Sequence, residues 1–409
     1  MHRRMTTGAL AVALAGVLAV SACSSKSTES GSGSESGPSS AGSGLTIAPL
    51  AQIDTKGNEV QAAAESEALN PAGDGKANCP STTIAMAGAL TGADAALGIN
   101  IRNGAQLAVD QHNKANPDCQ IVLKTFDTEG DPQKATQVAP QIVNDDSIIG
   151  LIGPAFSGET KATGGVFNQA GLVSTTASAT NPALTDNGWR TFFRGLANDD
   201  VQGPAVANYL TGKLGKKKVC VIKDDTEYGA GLARAITAGL GPAADENCSG
   251  DVKKGERDFS AVISKVTGEQ PDAVFFAGYY SEGAPLAQQL KTAAPDVTFV
   301  SGDGTNDPQF TAQAGDSAKG AVLSCPCGPA KDQFKKDYEA AFKQAPGVYS
   351  VEAYDLATIL MKGITDGQRT RPQLLEFVRN YQGPGLAREY QWTPKGELTS
   401  SLIWVYDVK

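Results

Sequence analysis

Three loops rich in glycine and hydroxyls recur along the first half of the chain: Gly88-Ala-Leu-Thr-Gly92, Gly153-Pro-Ala-Phe-Ser-Gly-Glu-Thr160 and Thr175-Thr-Ala-Ser-Ala-Thr-Asn-Pro182. They offer hydroxyls and backbone N–H groups, and two of them run toward a helix start. That suits an anion such as a carboxylate. Three later loops differ: Asp224-Asp-Thr-Glu-Tyr-Gly229, Gly278-Tyr-Tyr-Ser281 and Gly302-Asp-Gly304. These bring tyrosines and an acidic residue. A carboxylate site facing an acidic site, with aromatics between, is the chemistry that an amino-acid zwitterion needs. Plainer duties compete for the same residues. Ser157, Ser178 and Thr180 also suit caps and turns, and Asp303 between two glycines suits a turn. Phe156 and Leu97 suit packing. Asp127 and Asp131 read as structural, Asp131 as a cap before Pro132 at the first helical position.

The elements that must position these loops alternate. Strand-like runs at 82–87, 120–126, 147–152 and 172–175 are separated by helical patterns at 99–113, 132–144 and 159–169. A second series has helices at 201–213, 227–240, 259–267 and 283–293 with strands at 218–222, 273–277 and 298–301. Such alternation implies parallel sheets covered by helices on both faces. In open α/β sheets, ligands bind beyond the carboxyl ends of the strands, which is where the six loops fall. The expected fold is α/β, with two Rossmann-like lobes. Helices near 330–343, 350–365 and 371–380 return to the first lobe, and strands near 386–392 and 401–407 finish the pattern. The lobes are expected at 79–196 plus 328–386 and at 197–327 plus 387–409. Crossovers are expected at 195–199, 324–328 and 386–392, making a hinge.

The chain has 409 residues and a formal charge of −9. Its acidity reads as a solvated surface, and no basic stripe with interleaved aromatics suggests nucleic acid. With two histidines in all, His2 and His112, a Ser-His-Asp triad or a His-rich metal site is hard to build. His112 reads as a surface residue of a helix. No phosphate loop is evident, so an enzyme is the weakest reading, and neither cofactor nor metal is expected.

The first residues carry Arg3 and Arg4, then an apolar stretch from Gly8 to Val20, then Val20-Ser21-Ala22-Cys23. The stretch is short for a membrane span and has the flanks of an export signal. It resembles the lipobox of bacterial lipoproteins, in which the chain is cut before a cysteine that is then acylated. An ordinary secretory signal is the alternative. Cutting there removes 22 residues, leaves 387 and brings the charge to −11. That length favours two domains. Residues 24–44 are almost all Ser, Gly and Glu, a flexible tether with a reach of about 25 Å. Residues 45–78 are Ala-rich and weakly patterned. They read as an extension outside the folded domains, with a short helix over 58–69.

Seven cysteines leave six once Cys23 is set aside. In an exported chain an even remainder suggests disulfides. Cys79 and Cys119 precede the first two strands at one sheet edge. Cys220 lies in a strand, and Cys248 precedes the next. Each closed loop would add roughly 4 kcal/mol. Cys325-Pro326-Cys327 reads as a bond across one residue, as a redox-active pair or as two free thiols. Bonded, it would stiffen the second crossover.

From Thr82 onward the chain resembles the leucine/isoleucine/valine-binding protein family, extracytoplasmic receptors of branched-chain amino-acid ABC transporters. The stretches that carry the resemblance include Gly88-Ala-Leu-Thr-Gly92, Ala179-Thr-Asn-Pro-Ala-Leu-Thr185, Gln202-Gly-Pro204, Tyr228-Gly-Ala-Gly-Leu-Ala-Arg234 and Gly278-Tyr-Tyr280. Their order and spacing together are specific. The resemblance implies a type I periplasmic-binding-protein fold, a hinged cleft with three crossovers and a small aliphatic amino acid as ligand. It implies that Ser157 receives the ligand carboxylate, that Ser178 contributes backbone groups and that Thr180 bridges carboxylate and ammonium. Asp303 stands where the family often has a glutamate that pairs with the ammonium. Tyr228, Tyr279 and Tyr349 would wall the pocket, with Phe156 beside them, and Leu97 stands where some relatives carry a large aromatic. The implied partners are an ABC permease and the bilayer that holds acylated Cys23, around a monomeric receptor outside the cytoplasmic membrane. The alternatives are a receptor or sensor for amides, urea or another small polar solute.

Overall fold

Short apolar runs bounded by glycine, proline and polar residues become the strands of two large sheets in the computed structural model, which describes residues 44–61 and 67–409. In chain order the strands are β1 (Ile47–Ile53), β2 (Glu59–Val60), β3 (Thr82–Gly88), β4 (Ile121–Asp127), β5 (Ile148–Ile152), β6 (Val173–Thr176), β7 (Phe192–Arg194), β8 (Val219–Lys223), β9 (Gly250–Asp251), β10 (Ala273–Ala277), β11 (Thr298–Ser301), β12 (Val322–Cys325), β13 (Gln382–Pro384), β14 (Glu389–Gln391) and β15 (Ile403–Val408). Between them lie α1 (Ala95–Ala115), α2 (Pro132–Val143), α3 (Ser157–Gln169), α4 (Asp199–Asn208), α5 (Glu227–Leu240), α6 (Ser260–Glu269), α7 (Tyr280–Ala293), α8 (Pro308–Ala314), α9 (Asp332–Phe342), α10 (Ser350–Thr365) and α11 (Arg371–Arg379).

The first lobe is built on the parallel sheet β4-β3-β5-β6-β7. The second is built on β2-β1-β15-β12-β11-β10-β8-β9, parallel from β12 to β9 and antiparallel through β15, β1 and β2. Strands such as β5 and β10 are buried at every residue, as expected when helices cover both faces. Helix α5 illustrates the local code. Thr226 caps it by accepting the Gly229 N–H at 3.0 Å, and Leu232, Ile236 and Leu240 form its buried stripe. It stops at Gly241, whose φ of +51° suits glycine. The later helices return to the first lobe: α10 packs along α1, and α11 lies on β5 and β6. Each fully buried leucine or isoleucine of α10, such as Leu356, Leu360 and Ile364, stabilises that packing by roughly 1.5–3 kcal/mol.

The lobes are joined after β7, after β12 and before β15. The third passage lies later than expected. Residues 387–398 stay on the first lobe, because Asp355 of α10 accepts the N–H groups of Leu386 and Ala387 at 2.8 Å and Arg194 donates its N–H to Gly396 O. The expected boundary at 387 therefore moves to about 399. What reads as one strand over 386–392 is a small hairpin, β13 with β14.

The N-terminal segment is the largest departure. It is not an extension outside the fold. Strand β1 pairs with β15, from Ile47 opposite Val408 to Ile53 opposite Ile403, and β2 pairs with β1. Gly57, with φ +76°, turns tightly against α4, where a Cβ would meet Tyr209 N at 2.4 Å. Residues 71–78 lie instead on the first lobe, so the chain passes between lobes a fourth time. The expected helix over 58–69 is replaced by β2 at its start and by irregular backbone at 67–70, and its middle, 62–66, lies outside the described residues. His112 is buried, not exposed. Its Nδ1 lies 2.9 Å from Pro71 O and its Nε2 lies 3.0 Å from Cys119 O, so it ties this segment to α1. Asn116 adds bonds to Ala77 N and Ala72 O.

Three disulfides form: Cys79–Cys119, Cys220–Cys248 and Cys325–Cys327. The last sits in the second passage between lobes. There Arg388, buried and paired with Glu352 at 2.7 Å, donates to Pro326 O at 2.9 Å.

Candidate ligand-binding cleft

The carboxyl ends of β5 and β6 in the first lobe face those of β8, β10 and β11 in the second. Backbone geometry sets the first wall. Helix α3 begins at Ser157, whose hydroxyl accepts the Asn181 N–H at 3.2 Å. After β6, the Thr176 hydroxyl accepts the N–H groups of Ser178 and Ala179, and the Ser178 hydroxyl donates to Ala155 O. Ser178 thus spends its side chain holding the loops together. Arg194, fully buried and paired with Glu397 at 2.9 Å, donates to the carbonyls of Ala179 and Asn181. Thr180 stands between those two anchored carbonyls, so its place is fixed from both sides.

The facing wall is acidic and aromatic. Asp303 is buried, with Oδ1 accepting from the Tyr228 hydroxyl at 2.9 Å and Oδ2 from the Tyr349 hydroxyl at 2.6 Å. Burial pushes its carboxyl up, and the two tyrosine hydroxyls partly offset that. Tyr349 comes from the first lobe, at the start of α10, so this bond crosses the cleft. Phe156 lies 4.7 Å from Tyr279 between ring centroids, also across the cleft, and Tyr279 lies 5.1 Å from Tyr228. Leu97 is fully buried in the first turn of α1, within the same hydrophobic cluster. The structure therefore gathers Ser157, Thr180, Tyr228, Asp303, Tyr349, Phe156 and Tyr279 around one cleft, with Ser178 behind it.

Further polar bonds close the cleft around this centre. Asn100 Nδ2 donates to Asp307 Oδ2 at 2.8 Å, Asn181 Nδ2 donates to Glu227 O at 2.6 Å, and Lys161 pairs with Glu227 at 2.6 Å. Lys254 of the second lobe pairs with Asp94 of the first. Sequence reasoning misses Arg194, Lys254, Asp94 and Asp199. Asp199 is fully buried beside Thr180, and its carboxyl is pushed well up by burial and by the nearby charge of Asp303. An acid in the first turn of a helix looks ordinary, so no local signal separates it from exposed Asp200. Among the described residues no group of three or more His, Cys, Asp or Glu side chains would hold a metal ion, and no helix is long and apolar enough to cross a membrane.

Two α/β lobes that close on a polar cleft, joined by short passages, define a hinged-cleft binding protein. The chain belongs to the periplasmic binding protein family, whose pattern matches residues 81–409. This is a family of solute receptors that work outside the cytoplasm. The chain is 32% identical over 336 residues to the leucine-, isoleucine-, valine-, threonine-, and alanine-binding protein of Pseudomonas aeruginosa, covering 79% of this chain and 89% of that protein. It is 33% identical over 288 residues to the Leu/Ile/Val-binding protein BraC3 of Rhizobium johnstonii, covering 69% of this chain and 78% of the relative. In fold it resembles the branched-chain amino acid transporter substrate binding protein LivJ of Streptococcus pneumoniae, solved with isoleucine. The TM-score is 0.74 at 24% identity, over 81% of this chain and 99% of that one.

Proposed function

We propose that this protein is a lipid-anchored receptor that captures a small aliphatic amino acid in its cleft and hands it to an ABC permease. The observation that carries this reading is one buried cleft with Ser157 and Thr180 on one wall and Asp303, Tyr228 and Tyr349 at the other. A carboxylate suits the Ser157 hydroxyl, the N-terminus of α3 and Thr180. An ammonium suits the acidic wall. Phe156, Tyr279 and Tyr228 offer an apolar and aromatic surface for an aliphatic side chain. The named specificities of the two relatives, both of which include leucine, isoleucine and valine, support the ligand class.

The energies are adequate. Hydrogen bonds to charged groups contribute about 1.5–3 kcal/mol each. Four or five of them, less the cost of ordering, leave the roughly 8 kcal/mol of a micromolar complex. Closure about the passages between lobes buries the ligand and presents both lobes to the permease. Export and acylation at Cys23 keep a monomeric receptor at the membrane. The Cys325–Cys327 bond stiffens the second passage, and reduced protein that closes and binds like the oxidised form would remove that role.

The test is calorimetry on the soluble mature chain carrying Cys23→Ser, against Leu, Ile, Val, Thr and Ala with amides and urea as controls. Micromolar binding of an aliphatic amino acid is expected. Binding confined to amides or urea would keep the fold and overturn the ligand class.

A further inference from the structure

Arg194 spends every nitrogen of its guanidinium. Nε donates to Glu397 at 3.1 and 3.2 Å, and Nη2 donates to the same carboxylate at 2.9 Å. Nη2 also donates to Asn181 O at 3.1 Å, and Nη1 donates to Ala179 O. Thr180 O, between them, accepts the Asp199 N–H at 3.0 Å. Consecutive carbonyls of the loop that enters the cleft are thus held from behind, two of them by one side chain. The rigid, planar fork of arginine supplies donors in that arrangement, and lysine does not.

A guanidinium with no exposed surface needs a carboxylate beside it. Here the carboxylate comes from far along the chain. Glu397 ends a tight turn, in which Gly396 N–H donates to Thr393 O at 2.9 Å and Thr393 N–H donates to Glu397 O at 2.8 Å. The turn is seated on β7. Arg194 N–H donates to Gly396 O at 2.8 Å, and Trp392 Nε1 donates to Arg194 O at 2.7 Å. At Gly396, with φ +84°, a Cβ would collide with Phe192 O. The Glu397 carboxylate also accepts the Thr185 hydroxyl at 2.8 Å. Burial works against its ionisation, but Arg194, Thr185 and Asn198 outweigh that and hold the carboxyl below its usual range.

The pair also stands where the chain leaves the first lobe. Arg194 is the last residue of β7, from which the first passage departs, and Glu397 lies just before the third passage departs. One ion pair therefore roots two passages and holds the loop of Thr180.

We propose that Glu397 is a positioning residue for ligand binding. It acts through Arg194, which fixes the carbonyls on either side of Thr180, so the loop meets the ligand in one arrangement. Because the same pair roots two passages, the setting of the loop and the movement of the lobes are tied together. For its ligand this rests on the amino-acid reading above.

The experiment joins calorimetry to hydrogen exchange on the soluble mature chain. Glu397→Gln keeps the shape of the side chain and removes its charge. It is expected to weaken the tightest amino acid of the panel about tenfold and the other binders by the same factor, so that their ranking stands. In the unliganded protein it is expected to speed exchange of the Ala179 and Asn181 amides about tenfold. Those amides donate to the Thr176 and Ser157 hydroxyls, so they report on the loop itself. Glu397→Asp keeps the charge and is expected to stay within about threefold of wild type in both readouts. If the glutamine variant does not fold, Thr185→Val, which removes one bond to Glu397, is read the same way, with losses of about threefold. A variant that melts lower while affinity and loop exchange stay at wild-type values overturns the proposal, and so does an affinity loss with loop exchange unchanged. Wild type that binds nothing in the panel overturns the amino-acid reading. Faster loop exchange in Glu397→Gln would then still support the positioning role, and unchanged exchange would overturn that as well.

Discussion

Lys254 reaches from the second lobe to Asp94 at the start of α1 in the first, and its ammonium also lies 4.4 Å from the centroid of the Tyr279 ring. Asp94 is almost wholly buried, so the pair is shielded on one side. This bond ties the second lobe to the first. Lys254→Met is expected to shift the unliganded protein toward open forms, with a larger radius by small-angle scattering and about tenfold weaker amino-acid binding. Unchanged scattering and affinity would mean that closure is set by other contacts.

Tyr349 contributes to closure and to the site at once, since its hydroxyl crosses the cleft to Asp303. Tyr349→Phe keeps the ring and removes a hydrogen bond to a charged group. Amino-acid affinity is expected to fall about tenfold, with little change in melting temperature. Equal affinity would show that Tyr228 alone holds Asp303.

Binding should depend on pH with a definite sign. Burial raises both Asp199 and Asp303, and the mutual repulsion of the pair adds to it for Asp199. The charged groups facing Asp199 are Asp303, Arg194 and Asp200. Tyr228, Tyr349 and Gln202 face Asp303. An ammonium favours the ionised carboxylates, so affinity is lost as pH falls through the raised values, and binding in that range releases protons. Calorimetry in two buffers of different ionisation enthalpy reads the release directly. No proton release, with affinity constant as the solution is acidified from neutrality, would contradict this.

Glu159 offers a stability test behind the first wall of the cleft. Fully buried near the start of α3, it accepts the Phe156 N–H at 2.8 Å, and burial pushes its carboxyl from an ordinary 4.5 to about 7. A folded value above the unfolded one means that the favourable term is complete below the unfolded value and is lost as pH rises through about 7. The loss is on the order of 3 kcal/mol. Glu159→Gln cannot ionise, so its melting temperature relative to wild type should climb by a few degrees between about pH 5 and pH 8. A constant offset would place the titration elsewhere.

Much of this architecture is legible in the sequence, for reasons that differ by element. Strands β10 and β11 and helix α5 take the bounds that their apolar runs and caps dictate. Helix α1 begins four residues before the 99–113 pattern, where the second lobe holds it: the Tyr280 hydroxyl accepts the Ala96 N–H at 3.3 Å, and the Ser281 N–H donates to Asp94 at 3.4 Å. Strand β1 has weak patterning, since its residues are mostly half-buried or exposed and its place is set by β15, a partner at the far end of the chain. His112 reads as a surface residue because the segment that covers it folds back from upstream. The cleft residues are legible from their position at strand ends and from family resemblance. Asp199 is not, because only tertiary packing distinguishes it from Asp200.

The pairing of β1 with β15 also has a mechanical side. A pull applied ahead of residue 44 would run along β1, while β15 is held from its opposite end. The rungs of the ladder then bear the load together in shear and do not peel one at a time. For the receptor anchored at Cys23 as proposed above, that load would fall on the second lobe's sheet and bypass the cleft.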